Sequence, residues 1–315
     1  MKLEGYDIIM KLGEGSAGVV WKAYQKSLDR IVAIKILKED LASDENEVKD
    51  FISEARTAAQ LKHSNLVQVF DVGSQGNKYY IVMEYIDGPT VAELLEKKGK
   101  LSQKHSFKII RNVADALKSA WEQGRIIHRD VKPDNIMIDR DGTTKLADLG
   151  LAKQVAKRER PGKPSESIIA GTPNYMSPEQ AAGTAKLDIR TDMYGLGATL
   201  YHMLTGSVPF NEGTQDEILN RHITDFLPPP RSLNPSISTS AERFISRLMM
   251  KSADDRYSDW NQVITDIKKV SAGKMLVASP GPGALSTVKP SKSRIKSAAG
   301  STRKPKNTSL APAPE

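Results

Sequence analysis

Along the first 86 residues the apolar positions fall in short β-branched runs, Tyr6 to Leu12, Val19 to Gln25, Ile31 to Leu37, Leu66 to Val72 and Lys78 to Glu84, broken by polar and turn-forming residues. Runs of this length predict strands. One interval follows another period: between Glu45 and Leu61, Phe51, Ile52, Ala55, Ala58, Ala59 and Leu61 share the face of a helix. After Gly88-Pro89 the pattern turns helical, over Thr90 to Lys98 and then Ser102 to Gln123, where Phe107, Ile110, Val113, Ala114 and Leu117 form one apolar stripe. Further helices are predicted over Thr191 to Leu204, Asp216 to His222, Ala241 to Met250 and Asp259 to Val270. The fold class is therefore α+β, a strand-rich unit over residues 1–86 followed by a helical one over 87–270, without internal repeats.

From Ser271 the periodicity stops. The last 45 residues hold 8 Ser, 6 Pro and 4 Gly and no Phe, Trp or Tyr, so residues 271–315 bury too little apolar surface to offset their ordering entropy and are expected to be a disordered tail. This changes the meaning of the net charge. The whole chain of 315 residues carries +8, but eight Lys and Arg against Glu315 put +7 on the tail and leave +1 for residues 1–270. Without aromatics to stack on bases, the tail offers anionic partners only weak, salt-sensitive attraction. The chain has no Cys, which excludes disulfide scaffolds, thiolate metal sites and thiol catalysis, and fits a reducing, cytoplasmic location. Glu4 and Asp7 stand where a secretory signal would be apolar, and no 18-residue apolar window occurs. Neither export by its own signal nor a transmembrane segment is expected.

Three strings carry candidate chemistry. Leu12-Gly13-Glu14-Gly15-Ser16-Ala17-Gly18-Val19-Val20 lies between the first two strands. Its glycines allow backbone N–H groups to approach phosphate oxygens; a glycine-rich hairpin is the alternative. Val32-Ala33-Ile34-Lys35 puts an ammonium in an apolar strand, which needs an anionic partner if buried. Glu54, central in the predicted helix, is the natural carboxylate for it; a solvent-facing edge lysine is the alternative. The third string is Ile127-His128-Arg129-Asp130-Val131-Lys132-Pro133-Asp134-Asn135-Ile136-Met137, with Asp148-Leu149-Gly150 thirteen residues after Asn135.

With these strings in this order, the chain resembles a eukaryotic-type (Hanks-type) serine/threonine protein kinase over nearly all of residues 6–270. The Asp-x-Lys-Pro-x-Asn string looks like the serine/threonine class, and Ser177-Pro178-Glu179-Gln180 looks like the bacterial subfamily. The resemblance implies a bilobal kinase fold, with a five-stranded N-lobe holding one helix and a mainly helical C-lobe. It implies ATP and Mg²⁺ or Mn²⁺ as cofactors, and protein substrates with Ser or Thr acceptors. Asp130 would orient the acceptor hydroxyl and take its proton, Lys132 would offset charge on the transferring phosphoryl group, and Asn135 and Asp148 would offer oxygens to the metal. Lys35, held by Glu54, would grip the α and β phosphates. Adenine would lie between Val20 and Ala33 on one side and Met137 on the other, with Glu84 to Ile86 as hinge and Met83 as gatekeeper. Asp192 would brace the catalytic-loop backbone, and Arg256 would pair with Glu179.

Arg129 before the catalytic Asp suggests control by phosphate in the segment Asp148 to Glu179. Candidate acceptors are Ser165 and Ser167, then Thr172, all beyond a basic stretch, Lys153 to Lys163. Self-association would permit phosphorylation in trans. Four positions depart from the family's common pattern: Leu149, Ser177, Val131, and Ala17 at the loop tip, where a Phe often shields the phosphates. None removes a reacting group. The competing readings are a catalytically silent nucleotide-binding scaffold and an anionic-surface binder acting through the tail.

Overall fold

A computed structural model describes residues 3–15, 17–148, 153–154, 172–184 and 187–276. The predicted strands form a five-stranded antiparallel sheet: β1 (Tyr6–Glu14), β2 (Gly18–Gln25), β3 (Arg30–Leu37), β4 (Val69–Gln75) and β5 (Lys78–Glu84), in the order β1-β2-β3-β5-β4. Alternation along β3 sets the two faces. Val32, Ile34 and Ile36 pack with Ala23, Val82 and Leu3 on one side, while Leu37 joins Val48, Phe51, Ala55 and Ile81 on the other. A one-turn helix, α1 (Glu39–Ala42), precedes the expected helix α2 (Glu45–Ala59), so this lobe has two helices rather than one. α2 starts where the Asp44 carboxylate accepts from the Asn46 N–H at 2.7 Å.

β4 begins at Val69, three residues later than the apolar run starts. Leu66 and Val67 are spent elsewhere: Leu66 bridges Leu146, and the Val67 N–H donates to the Leu146 carbonyl at 3.0 Å. These residues stitch the first lobe to the strand that leads to Asp148.

The second lobe contains α3 (Val91–Lys98), α4 (Gln103–Gly124), β6 (Ile126–Ile127), β7 (Ile136–Ile138), β8 (Thr144–Leu146), β9 (Lys153–Gln154), α5 (Pro178–Ala181), α6 (Ile189–Thr205), α7 (Gln215–Thr224), α8 (Pro230–Leu233), α9 (Thr239–Leu248) and α10 (Trp260–Ser271). β7 pairs with β8 and β6 with β9, both antiparallel. Capping boxes, Thr90 with Glu93, Ser177 with Gln180 and Thr214 with Glu217, start α3, α5 and α7. α6 is buried nearly all round, from Ile189 to Leu204, as an apolar helix at the centre of a bundle must be. α4, α9 and α10 pack about it through Phe107, Ile110, Phe244, Leu248, Val263 and Ile267. The short helices α1, α5 and α8 and the strands β6–β9 have too few residues to show a period in the sequence.

At the boundary between the lobes, Gly88 lies so close to the Ile138 carbonyl that no Cβ could be accommodated. At the other end, order continues past the expected boundary at residue 270. Leu276 is buried, its N–H donates to Ser240 Oγ at 3.3 Å, and its carbonyl accepts from Arg243 at 2.8 Å. Residues 277–315 lie outside the described set. No helix among the described residues is long and apolar enough to cross a membrane.

A buried polar group sits beneath this packing. His222 of α7 is wholly buried, with Nδ1 2.8 Å from the Tyr194 hydroxyl. Burial, helped by the nearby Lys251 ammonium, holds the imidazole at about 3, against 6.5 when exposed. Between those values the unfolded chain binds a proton that the folded chain refuses, so stability rises with pH and is lost as pH falls below 6.5, by at most about 1.4 kcal/mol per pH unit. The urea midpoint is accordingly expected to drop between pH 7 and pH 5, and His222→Gln should flatten that dependence. Equal slopes for the two proteins would exclude His222 as its source.

Candidate active site

The glycine string closes the β1–β2 hairpin, whose last paired positions are Glu14 and Val19. Gly18 is required by packing: a Cβ there would stand 2.5 Å from the Ile36 carbonyl oxygen. At Gly13 an added Cβ meets open space, and at Gly15 its nearest neighbour would be 3.9 Å away. Neighbouring strands do not demand those two glycines. Glu14 is drawn outward between Lys11 at 2.7 Å and Lys38 at 3.1 Å, whose hydrogen bonds and charge hold its carboxyl below the usual range. The Ala17 carbonyl accepts from the Lys38 N–H, and Leu12 is exposed. Ser16 lies outside the described residues.

Strand register places the expected slot residues on one sheet face. Val20 pairs with Lys35, Val19 with Ile36, and Ala33 with Met83; directly opposed residues share a face, as do residues two apart in a strand. Val20, Ala33, Lys35 and Met83 therefore line the same side, with Val19 on the other. The hinge differs from the simplest expectation. The Glu84 N–H donates to the Gln68 carbonyl at 2.8 Å, and its carboxylate takes Lys145 Nζ at 2.6 and 2.9 Å. Glu84 is thus tied to the β8 strand. Ile86 keeps its backbone groups without a hydrogen-bond partner among the described residues. Met137 sits in β7, bridged to Thr90.

The residues of the loop from Asp130 to Asn135 lie close together. Asn135 Nδ2 donates to the Asp130 carbonyl at 2.8 Å and to its Oδ2 at 3.0 Å, and Lys132 Nζ lies 2.9 Å from the same oxygen. Lys132 also donates to Thr172 Oγ1 at 2.8 Å, joining the loop to the residues ahead of α5. Asp192 accepts from the N–H groups of His128 and Arg129 at 2.8 and 2.7 Å. The Asp130 N–H donates to His128 Nδ1 at 3.3 Å, so Nε2 carries the proton it gives to the Ala147 carbonyl at 3.0 Å. Arg256 meets Glu179 with two parallel bonds, 2.7 and 2.8 Å. Arg129 and Asp148 both have positive φ, 68° and 57°, left-handed geometry that non-glycine residues keep only when their surroundings enforce it.

One expected pair is absent. Lys35 Nζ lies 2.5 Å from Asp148 Oδ1, and Lys35 makes no ion pair with Glu54 among the described residues. Desolvation pushes the Asp148 carboxyl up, but Lys35, and then His128 and Lys132, bring it below the usual range. The Glu54 and Asp192 charges act instead on Arg129, whose burial lowers it below the ordinary guanidinium value. The Lys132–Thr172 bond, the Glu84–Lys145 tie and the Gln180 Nε2 bond to the Arg129 carbonyl at 2.8 Å were not expected. Only the first had a signal in the sequence, the hydroxyl of Thr172 on the activation segment.

The protein kinase domain family matches residues 6–269. The chain belongs to that family. It is 39% identical over 265 residues to a probable serine/threonine-protein kinase of Clostridium perfringens, covering 84% of this chain and 38% of the relative. It is 36% identical to the serine/threonine-protein kinase PrkC of Bacillus subtilis, over 84% of this chain and 40% of PrkC. It is 34% identical to PknB of Mycobacterium tuberculosis, over 85% and 43%. The chain thus spans about two-fifths of these curated relatives' length. The crystal structure of a point mutant of the Mycobacterium tuberculosis PknI kinase domain superposes with a TM-score of 0.67 at 26% identity, covering 87% of this chain and 98% of that one.

The family implies ATP and a divalent cation, and the residues of this kinase domain fit both. Asn135 spends its Nδ2 on Asp130, which leaves Oδ1 without a partner among the described residues. Half-exposed Asp148 adds a carboxylate, so the donors are hard oxygens suited to such a cation. Leu149, Gly150, Ser165, Ser167 and most of the Lys153 to Lys163 stretch lie outside the described residues.

Three substitutions test this geometry. Gly18→Ala forces β2 from β3 and should cost about 1–3 kcal/mol, whereas Gly13→Ala should cost much less; urea denaturation of the two variants compares them. Arg256→Met leaves a buried carboxylate at Glu179 and should cost about 3–5 kcal/mol by the same measurement.

Proposed function

We propose that the chain is an active protein kinase catalytic domain that transfers the γ-phosphoryl group of ATP to a protein Ser or Thr hydroxyl, with Mg²⁺ or Mn²⁺ as cofactor. The observation that carries this reading is the joint contact of Asp130 with Asn135 Nδ2 and Lys132 Nζ, with Lys132 reaching Thr172. The two lobes, residues 1–86 and 87–270, extended to Leu276, are the catalytic unit.

The chemistry follows from this placement. The acceptor hydroxyl oxygen forms the new bond to the γ-phosphorus, the bond to the β–γ bridging oxygen breaks, and ADP leaves. Asp130 orients the hydroxyl and takes its proton. Lys132 faces the charge that shifts onto the transferred oxygens, and in a water-poor site such a fixed cation stabilises the transition state strongly. The glycine string from Gly13 to Gly18 would bring backbone N–H groups to the phosphates, with Gly15, whose N–H donates to the Gly18 carbonyl at 2.9 Å, shaping the turn, and Ile86 would offer its free backbone groups to adenine. A divalent cation, when bound by Asn135 and Asp148, would neutralise phosphate charge. Nothing favours the silent-scaffold reading, since Lys35, Asp130, Asn135 and Asp148 are all present.

Turnover requires a rearrangement. A kinase needs its strand Lys on the helix Glu and its Asp on the metal, whereas Lys35 here holds Asp148. The described arrangement is a resting one, and activation exchanges Asp148 for Glu54 on Lys35. Arg129 Nε is buried and without a partner among the described residues, and a phosphate on Ser165, Ser167 or Thr172 would supply it one. The absence of Cys fits a cytoplasmic signalling role.

Incubation with labelled ATP and a generic basic protein substrate should give phosphoserine or phosphothreonine. Chelation of divalent metal, Asp130→Asn and Lys35→Met should each reduce incorporation by at least about 100-fold. No incorporation with either metal would refute the reading.

A further inference from the structure

One backbone position of the hinge is free, and the positions on both sides of it are tied. Ile86 keeps its N–H and carbonyl without partners among the described residues, while its side chain is buried. Before it, the Glu84 N–H donates to the Gln68 carbonyl and the Glu84 carboxylate holds Lys145. After it, Asp87 pairs with Arg140 at 2.7 Å, and Gly88 lies against the Ile138 carbonyl. Tyr85 is held from a third direction. Lys22 Nζ of β2 donates to its hydroxyl at 3.1 Å and stands 4.2 Å from its ring centroid.

Strand register shows which way Lys22 faces. It pairs with Ala33 and lies two residues after Val20, so its side chain leaves the sheet on the face of the expected adenine slot. Ala33 in turn pairs with Met83, two residues before Tyr85. The Lys22 ammonium meets no carboxylate among the described residues and spends its charge on the aromatic ring, an attraction that grows as water is displaced. The hydrogen bond adds direction to it. β5 ends at Glu84, so ladder hydrogen bonds no longer hold the chain at Tyr85. A side-chain anchor there sets the path of the backbone into Ile86.

Resting on the kinase reading above, we propose that Lys22 is a positioning residue for base selection: through Tyr85 it orients the peptide groups of Ile86 that distinguish adenine from guanine. Adenine presents a donor at N6 beside an acceptor at N1, which complement a backbone carbonyl and N–H. Guanine presents the reverse, an acceptor at O6 beside a donor at N1. Selection between the two bases thus depends on where the Ile86 groups point, and a loosened anchor costs selectivity before it costs chemistry. Asp130, Lys132 and Asp148 take no part in the Lys22–Tyr85 contact.

The test measures Kd for ADP and for GDP by titration calorimetry of the full chain with Mg²⁺, together with kcat and KM for ATP on the generic protein substrate. Lys22→Met keeps the stem and removes the charge. Its ADP affinity should fall about fivefold, KM for ATP should rise by the same factor with kcat little changed, and GDP affinity should change by less than about twofold. Lys22→Arg keeps a cation on the ring and should retain the wild-type preference for ADP. Tyr85→Phe, which loses only the hydroxyl, should fall between wild type and Lys22→Met. Tyr85→Leu should match Lys22→Met, and the double variant should be no weaker than either single one, because both remove one interaction. Urea midpoints confirm that the variants remain folded. Unchanged ADP affinity in Lys22→Met, equal weakening of ADP and GDP, a fall in kcat at constant KM, or additive losses in the double variant would each overturn the proposal. Selective ADP binding without phosphoryl transfer to any substrate would instead remove the kinase reading alone.

Discussion

The rest of the site depends on a buried carboxylate. Asp192 lies in the first turn of α6, the most enclosed helix of the molecule, and is itself buried. Burial raises its pKa in spite of the His128 and Arg129 groups around it, which measures how unfavourable an ionised acid is in that position. It is tolerated because two backbone N–H groups, those of His128 and Arg129, point at its two oxygens. The same bonds fix the loop. Arg129 is held in left-handed geometry, its carbonyl taken by Gln180 and that of Val131 by Thr199. With N–H groups and carbonyls both claimed, the backbone of Asp130 has little freedom, and its carboxylate inherits the rigidity of the core.

The opposite wall of the cleft is built for change. Lys35 and Asp148 come from different lobes, and their pair is half open to solvent on the Asp148 side. The loop half of the site is fastened to α6, whereas the Lys35–Asp148 half hangs from β3 and β8. The Glu84–Lys145 tie and the Leu66–Leu146 bridge confine motion in that half, since they join the hinge and the first lobe to the strand that delivers Asp148.

The sequence revealed most where a period had room to repeat. The long helices α4, α6 and α10 and the strands β1, β2, β3 and β5 lie within a few residues of their predicted spans, because each has an apolar face to count. β4 slipped by three residues because Leu66 and Val67 satisfy their backbone on Leu146 of the other lobe, a contact no local pattern encodes. The glycine string was legible as a motif, yet of its glycines only Gly18 is demanded by its neighbours. Lys35 was rightly expected to need an anion. Which anion it holds depends on the placement of a whole helix against the sheet, a tertiary quantity, and Asp148 rather than Glu54 holds it here.

Charge shows the same division between total and place. The +8 of the whole chain describes mainly the residues after 270. At the site, the relevant electrostatics concern a few groups: Lys132 committed to Asp130 and Thr172, Lys35 to Asp148, and Arg256 to Glu179. Each of these cations already has its carboxylate. Asp134 is the exception, a carboxylate of the catalytic loop left uncompensated, and it acts on Tyr175 and His202 alike. An uncompensated charge at the edge of a cleft attracts its opposite from outside the molecule, more strongly as neighbouring low-dielectric walls displace water.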